Sequence, residues 1–138
     1  MKLSKLLKSV IRAYRNTDLF DIDYESAKNI IKYGNNVILI DVRSEQEFNE
    51  GHIEGSVNVP VYELKKDCEK YLKDKQTTII LYCQSGMRSR KALKILQDKG
   101  YKNLYEIKGG LDEIWSNMDG EGKDTGTEKK DRGTEKMS

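Results

Sequence analysis

Two short stretches limit the possible folds of this chain most severely. "NVILIDV" at 36–42 and "TTIILY" at 77–82 are nearly continuous apolar runs, bounded by polar residues. A strand with one face in water alternates apolar and polar side chains. An unbroken run marks a strand covered on both faces, the situation inside a parallel sheet packed between helices. Parallel strands need crossover connections, so helices are expected between the two runs and around them.

The rest of the chain supplies them. "LFDID" reads as a short strand, and "YESAKNIIKYG" as a helix with Ala27, Ile30 and Ile31 inward, ended by Gly34. "SEQEF" reads as a short helix, because Ser44 followed by Glu47 is a capping box. "EGSVNVP" holds another strand, closed by the only proline. The spacing of Val61, Leu64, Cys68, Tyr71 and Leu72 predicts a helix over "VYELKKDCEKYLKDK". A helix follows Cys83 with Ala92, Leu93 and Leu96 inward, stopping at Gly100. "NLYEI" reads as a last strand, and "GGLDEIWSNM" as a last helix anchored by Trp115. Alternating strands and helices with short connections predict an α/β domain: a mostly parallel central sheet with helices on both faces. Sites in such folds form at the carboxyl ends of strands. Asp41 and Cys83 end the two apolar runs and are the first candidates.

Composition narrows the chemistry. The chain has 138 residues and a formal net charge of +2, so no broad basic field argues for nucleic acid. Two cysteines, Cys68 and Cys83, make no disulfide framework, and their spacing suggests no metal site. There is one histidine, His52. No stretch approaches the roughly 20 apolar residues of a membrane span. The basic start "MKLSKLLKSVIRAYRNT" does not read as a secretory signal, so a cytoplasmic setting with reduced thiols is expected. Residues 1–16 carry an apolar stripe of Leu3, Leu6, Leu7, Val10, Ile11 and Tyr14 opposite five basic residues, the pattern of an amphipathic helix. Docking on its own domain is the plainer reading of that helix, and an anionic membrane surface the alternative. Residues 119–138 are polar, with no means of offsetting the entropy of ordering, and are expected to form a disordered tail.

The segment after the second apolar run carries the chemistry. Cys83 is followed by Gln84, Ser85, Gly86, Met87, Arg88 and Ser89, with a helical pattern starting near Arg88. A loop feeding a helix N-terminus presents backbone N–H groups without intrahelical partners and the positive end of the helix dipole. A thiolate placed there is stabilised over a thiol, and Gly86 permits a tight turn. Arg88, Arg90, Lys91 and Lys94 crowd the first turns of that helix, where cations oppose the dipole. Arg88 closes the loop, and its planar fork suits an oxyanion. Arg90 and Lys91 read as solvated surface residues. Cys68, on an apolar helix face, reads as a small buried hydrophobe.

"DVRSEQEFNEGHIEGSVNVP" followed by a strand and "YCQSGMRSRKAL" resembles the rhodanese family of single-domain sulfurtransferases, over about residues 18–117 and including the closing "KGGLDEIW". The resemblance implies the rhodanese-like three-layer fold and a persulfide mechanism without cofactor or metal. Cys83 would take the outer sulfur of a small anionic donor such as thiosulfate and pass it to cyanide, a thiol or a sulfur-carrier protein. The loop residues Gln84, Ser85, Gly86, Met87, Arg88 and Ser89 would bind the donor and hold the persulfide charge. Related phosphatases have a loop one residue longer, so the four-residue gap from Cys83 to Arg88 implies sulfur rather than phosphate or arsenate chemistry. A catalytically silent binding module is the other alternative. Asp41 and Arg43 are expected to support the site, Asp41 by accepting from loop amides and Arg43 by pairing with Glu47. His52 is expected to brace its own loop.

Overall fold

The computed structural model describes residues 4–5 and 20–121. Most of the stretch read as a basic N-terminal helix, and residues 122–138 of the polar tail, lie outside the described residues. The elements run β1 (Asp21–Ile22), α1 (Tyr24–Tyr33), β2 (Val37–Asp41), α2 (Glu45–Glu50), β3 (Val57–Asn58), α3 (Val61–Tyr71), β4 (Thr78–Tyr82), α4 (Met87–Asp98), β5 (Leu104–Ile107) and α5 (Gly110–Glu121). The five strands form one sheet in the order β1-β5-β4-β2-β3, and every pairing is parallel. The two apolar runs are neighbours, with Asp41 opposite Tyr82 in register. Their carboxyl ends therefore open side by side.

Side-chain alternation along β4 divides the core in two. Ile79, Leu81 and Cys83 pack with Leu64, Cys68, Leu93 and Leu96 of α3 and α4. Ile80 and Tyr82 point the other way, toward Ala27, Leu111, Ile114 and Trp115 of α1 and α5. The expected helices on both faces are thus observed, and β4 is buried throughout beyond its first residue. No helix among the described residues is long and apolar enough to cross a membrane.

Local signals set the helix ends. Asp23 caps α1 by accepting from Ser26 N–H at 2.8 Å, so "LFDID" contributes only two residues to the sheet. Ser44 and Glu47 form the expected capping box on α2. Two apolar expectations fail. Ile31 is 42 % exposed, because the inward face of its helix is formed by Tyr24, Ala27 and Ile30. Tyr71 is also exposed. Asp67 departs from helical geometry inside α3, and this break in the 3.6-residue period rotates the last turn while Leu72 beyond it stays buried.

The start of α5 closes the molecule over the cysteine loop. Leu111 N–H donates to Cys83 O at 3.0 Å, and Asp112 N–H to Gln84 O at 2.9 Å. Two of the orphan amides of α5 thereby hold the loop's carbonyls. The approach requires Gly110: its φ is +62°, and a Cβ there would lie 2.5 Å from Cys83 O and 2.6 Å from Gln84 O. Both neighbours are backbone and cannot swing aside. Gly110→Ala is expected to lower stability by about 2–4 kcal/mol, read from urea unfolding. An unchanged midpoint would mean that the contact is not under constraint.

Candidate active site

Cys83 lies at the carboxyl end of β4 and is 1 % exposed. The chain then turns at Gly86, whose φ of +108° serves as the N-terminal boundary of α4. No side chain of the ordinary capping kind closes that helix. The cysteine sulfur takes the position instead. Gly86 N–H donates to Sγ at 3.0 Å and Ser89 N–H at 3.3 Å. Ser89 is the third residue of α4, the position whose amide a capping oxygen normally receives. Among the described residues, no group accepts from the amides of Gln84, Ser85, Met87 or Arg88. The loop thus has two N–H groups on the sulfur and four more without a partner, a donor-rich surround for an anion. Met87, in the same loop, is 79 % exposed.

The upstream motif forms one wall. Asp41 is fully buried and accepts from Arg43 N–H at 2.9 Å, as expected of a carboxylate receiving loop amides. Arg43 is buried too, but its partner is Asp41 and not Glu47. Nη2 lies 2.8 Å from Asp41 Oδ2 and Nε 3.1 Å from Oδ1. Burial opposes the charge of Arg43, but the hydrogen bonds and charge of Asp41 outweigh it and raise its pKa. The guanidinium also donates to Gly51 O at 2.6 Å and to Gln84 Oε1 at 3.2 Å. Gln84 in turn donates through Nε2 to Asp112 Oδ1 at 2.8 Å. One side chain thereby ties the cysteine loop to both the β2 loop and α5. His52 stacks on Phe48 at 3.7 Å, and its Nδ1 lies 2.8 Å from Phe48 O. A carbonyl only accepts, so Nδ1 carries the proton and the ring braces its own loop.

Arg88 closes the loop, but its guanidinium rests on Glu47. The pair is bidentate, at 2.7 and 3.0 Å, and partly exposed. Arg90 is not the solvated residue expected. Its Nε lies 2.5 Å from Glu106 Oε1 and its Nη2 3.0 Å from Asp21 Oδ1. Lys91 is exposed, as expected. Cys68 is buried near the Tyr101 hydroxyl, with Sγ–Oη 3.9 Å, on the face where a small hydrophobe was expected. Sequence reading missed Glu106, which is 2 % exposed and accepts from Ser89 Oγ at 2.7 Å. The signal was present: a single acid inside the strand "LYEI". Beside the loop a groove of about 410 Å³ is lined in part by Ser85, Gly86, Met87, Arg90, Glu106 and Lys108.

The Glu47–Arg88 pair should be visible in acid. Its hydrogen bonds from Arg88, more than any other influence, hold the Glu47 carboxyl at about 2 against an ordinary 4.5. A depressed carboxyl adds stability that is present above the unfolded value and lost as pH falls through the folded one. Wild type and Glu47→Gln are therefore expected to differ in unfolding midpoint above about pH 4.5 and to converge toward pH 2. The gap should be of order 1 kcal/mol, because the pair is partly exposed. A gap that stays constant across this window would assign the difference to the helix cap instead.

Comparison with known proteins gives this geometry a lineage. Residues 23–117 match the family model described as "Rhodanese-like domain". The chain is 36 % identical over 75 residues to the thiosulfate sulfurtransferase PspE of Escherichia coli, covering 54 % of this chain and 71 % of that protein. It is 33 % identical over 119 residues to a tRNA uridine(34) hydroxylase of Buchnera aphidicola, covering 78 % of this chain but only 38 % of that longer protein. Among solved structures, the rhodanese-like domain of an Anabaena protein superposes with a TM-score of 0.62 at 26 % identity, over 72 % of this chain and 74 % of that one. The three-layer fold, the cysteine at the end of β4 and these matches place the chain in the rhodanese-like domain family.

Proposed function

We propose that the protein is a sulfurtransferase that carries a sulfane sulfur on Cys83. The observation that supports this most is the sulfur's position: Sγ receives two amide N–H bonds where a capping oxygen would sit, and four further loop amides have no acceptor among the described residues. Thiosulfate is the model donor. The Cys83 thiolate attacks its outer sulfur, a Cys83–S bond forms, and the sulfur–sulfur bond of the donor breaks with its electron pair leaving on sulfite. The persulfide then carries its negative charge on the outer sulfur, and the amides of Gln84, Ser85, Met87 and Arg88 are the donors available to it. Cyanide or a thiolate attacks the outer sulfur in the second step and releases the Cys83 thiolate. A sulfur-carrier protein is a further acceptor on this reading, and the cytoplasm its setting.

Loop length supports sulfur over phosphate. Four residues separate Cys83 from Arg88, and Arg88 is already engaged by Glu47. Persulfide chemistry does not require a free arginine in the cradle, whereas clamping a phosphoryl group calls for one.

Incubation with thiosulfate is expected to add the mass of one sulfur atom to the peptide containing Cys83, and cyanide to remove it as thiocyanate. Cys83→Ser abolishes both, since a serine hydroxyl is not ionised near neutral pH and holds no sulfane sulfur. Cys68→Ser does neither. Label on Cys68, or turnover by Cys83→Ser, would refute the assignment. No label from any sulfur donor would favour the binding-module alternative. Arg88→Ala leaves the Glu47 carboxylate without its counter-charge beside the loop and is expected to lower the rate with anionic thiosulfate by about tenfold more than with a neutral polysulfide. Equal losses would make Arg88 purely a tether for Glu47.

A further inference from the structure

The side chains of Glu106 and Ser89 have no part in the transfer steps, yet the Ser89 hydroxyl lies beside the nucleophile. Alternation along β5 puts Glu106 on the same side as Leu104, facing α4. There its carboxylate accepts from Ser89 Oγ at 2.7 Å and from Arg90 Nε at 2.5 Å. Ser89 Oγ also lies 3.1 Å from Gly86 O and 3.7 Å from Cys83 Sγ. A hydroxyl has one proton. Both Glu106 Oε2 and Gly86 O are acceptors, so that proton points away from the sulfur. What Ser89 Oγ presents to Sγ is lone-pair density, which accepts from an S–H group and repels a thiolate. The buried carboxylate behind it adds a second negative charge. The Gly86 and Ser89 amides pull in the opposite direction.

We propose that Glu106, acting through Ser89, is a positioning residue that opposes negative charge on the inner sulfur of Cys83 and favours its displacement onto the transferred sulfur. In the thiolate the charge sits on Sγ, beside Ser89. In the persulfide Sγ is neutral, and the charge lies one sulfur–sulfur bond, about 2 Å, farther out. Glu106 therefore destabilises the starting thiolate more than the persulfide. When the second step returns the charge to Sγ, Ser89 Oγ is placed to accept the hydrogen bond of the reprotonated thiol. Burial raises the pKa of Glu106, while Ser89 and Arg90 act to lower it.

The charged groups around this pair do not change the sign. Arg90 of α4 lies against Glu106 and also pairs with Asp21 of β1. Lys108 lines the neighbouring groove. On the other side of the loop Arg88 pairs with Glu47 of α2, Asp41 of β2 with Arg43, and Asp112 of α5 with Gln84. Glu106→Gln removes one negative charge and leaves all the others. It also weakens the hold on the Ser89 proton, which becomes free to turn toward the sulfur. Both changes favour the thiolate.

The inference deepens the sulfurtransferase reading, but its test needs no sulfur donor. The rate at which iodoacetamide alkylates Cys83 in the full chain is measured against pH, with Cys83 read by peptide mass. Glu106→Gln is expected to move the rise in rate to lower pH, giving roughly tenfold faster alkylation at about pH 6, and to meet the wild type in alkali. Ser89→Ala keeps the Glu106–Arg90 pair and should shift the profile in the same direction, which preserves the test should Glu106→Gln fail to fold. Coincident profiles would overturn the proposal. So would a shift to higher pH, which would make Glu106 a proton acceptor for the thiol. A shift as expected in a protein that takes no sulfur from any donor would sink the sulfurtransferase reading and leave standing only the opposition of Glu106 to charge on Cys83 Sγ.

Discussion

The cysteine sulfur occupies the place of a helix cap. α4 opens at a left-handed glycine with no capping oxygen, and its third amide, together with that of Gly86, points at Cys83 Sγ. Most of what surrounds the site follows from holding that arrangement. The sulfur must arrive at a fixed height, which β4 supplies by running buried to Tyr82 between β2 and β5. The loop must stay narrow, which α5 enforces by donating to the carbonyls of Cys83 and Gln84 across Gly110. A helix capped by sulfur exchanges some local stability for chemistry, since a thiol is a weaker acceptor than an Asp or Ser oxygen. The closing contacts of α5 offset that loss.

Charge near the loop is arranged in pairs. Arg43 sits on Asp41, Arg88 on Glu47, and Arg90 on Glu106 and Asp21. Three arginines lie around a buried sulfur, and each already has a carboxylate. The field at Sγ is consequently set by groups at hydrogen-bond distance, the two amides and the Ser89 hydroxyl, more than by net charge. Paired side chains with opposite charges largely cancel beyond a few ångströms, whereas an N–H donor at 3.0 Å does not. Backbone donors also need no rearrangement when charge moves from one sulfur to the next, which suits the proposed transfer, where charge shifts by one bond length in each half-reaction.

Features carried by local patterns were legible from sequence. Unbroken apolar runs gave the two central strands, the capping box gave α2, and the cysteine at a strand-to-helix junction gave the loop. Pairings between distant residues were not legible. Glu47 and Arg88 lie 41 residues apart and meet only because β2 and β4 are adjacent. The expected Arg43–Glu47 pair assumed helical spacing, but Ser44 is the cap, so Arg43 lies outside the helix and its side chain turns back onto Asp41. Arg90 was misread for a related reason: its partners come from β5 and β1, strands on the far side of β4. Tyr71 was misplaced because periodicity presumes an unbroken helix and α3 is broken at Asp67.

The proposed sulfur transfer requires the loop amides around Cys83 to hold a second sulfur. A crystal structure of the protein after exposure to thiosulfate tests this directly. The account predicts one additional atom bonded to Cys83 Sγ, pointing into the loop and lying within about 3.5 Å of at least two of the amide nitrogens of Gln84, Ser85, Met87 and Arg88. A crystal treated in this way with no added atom at Cys83, or with one directed away from those amides, would contradict it.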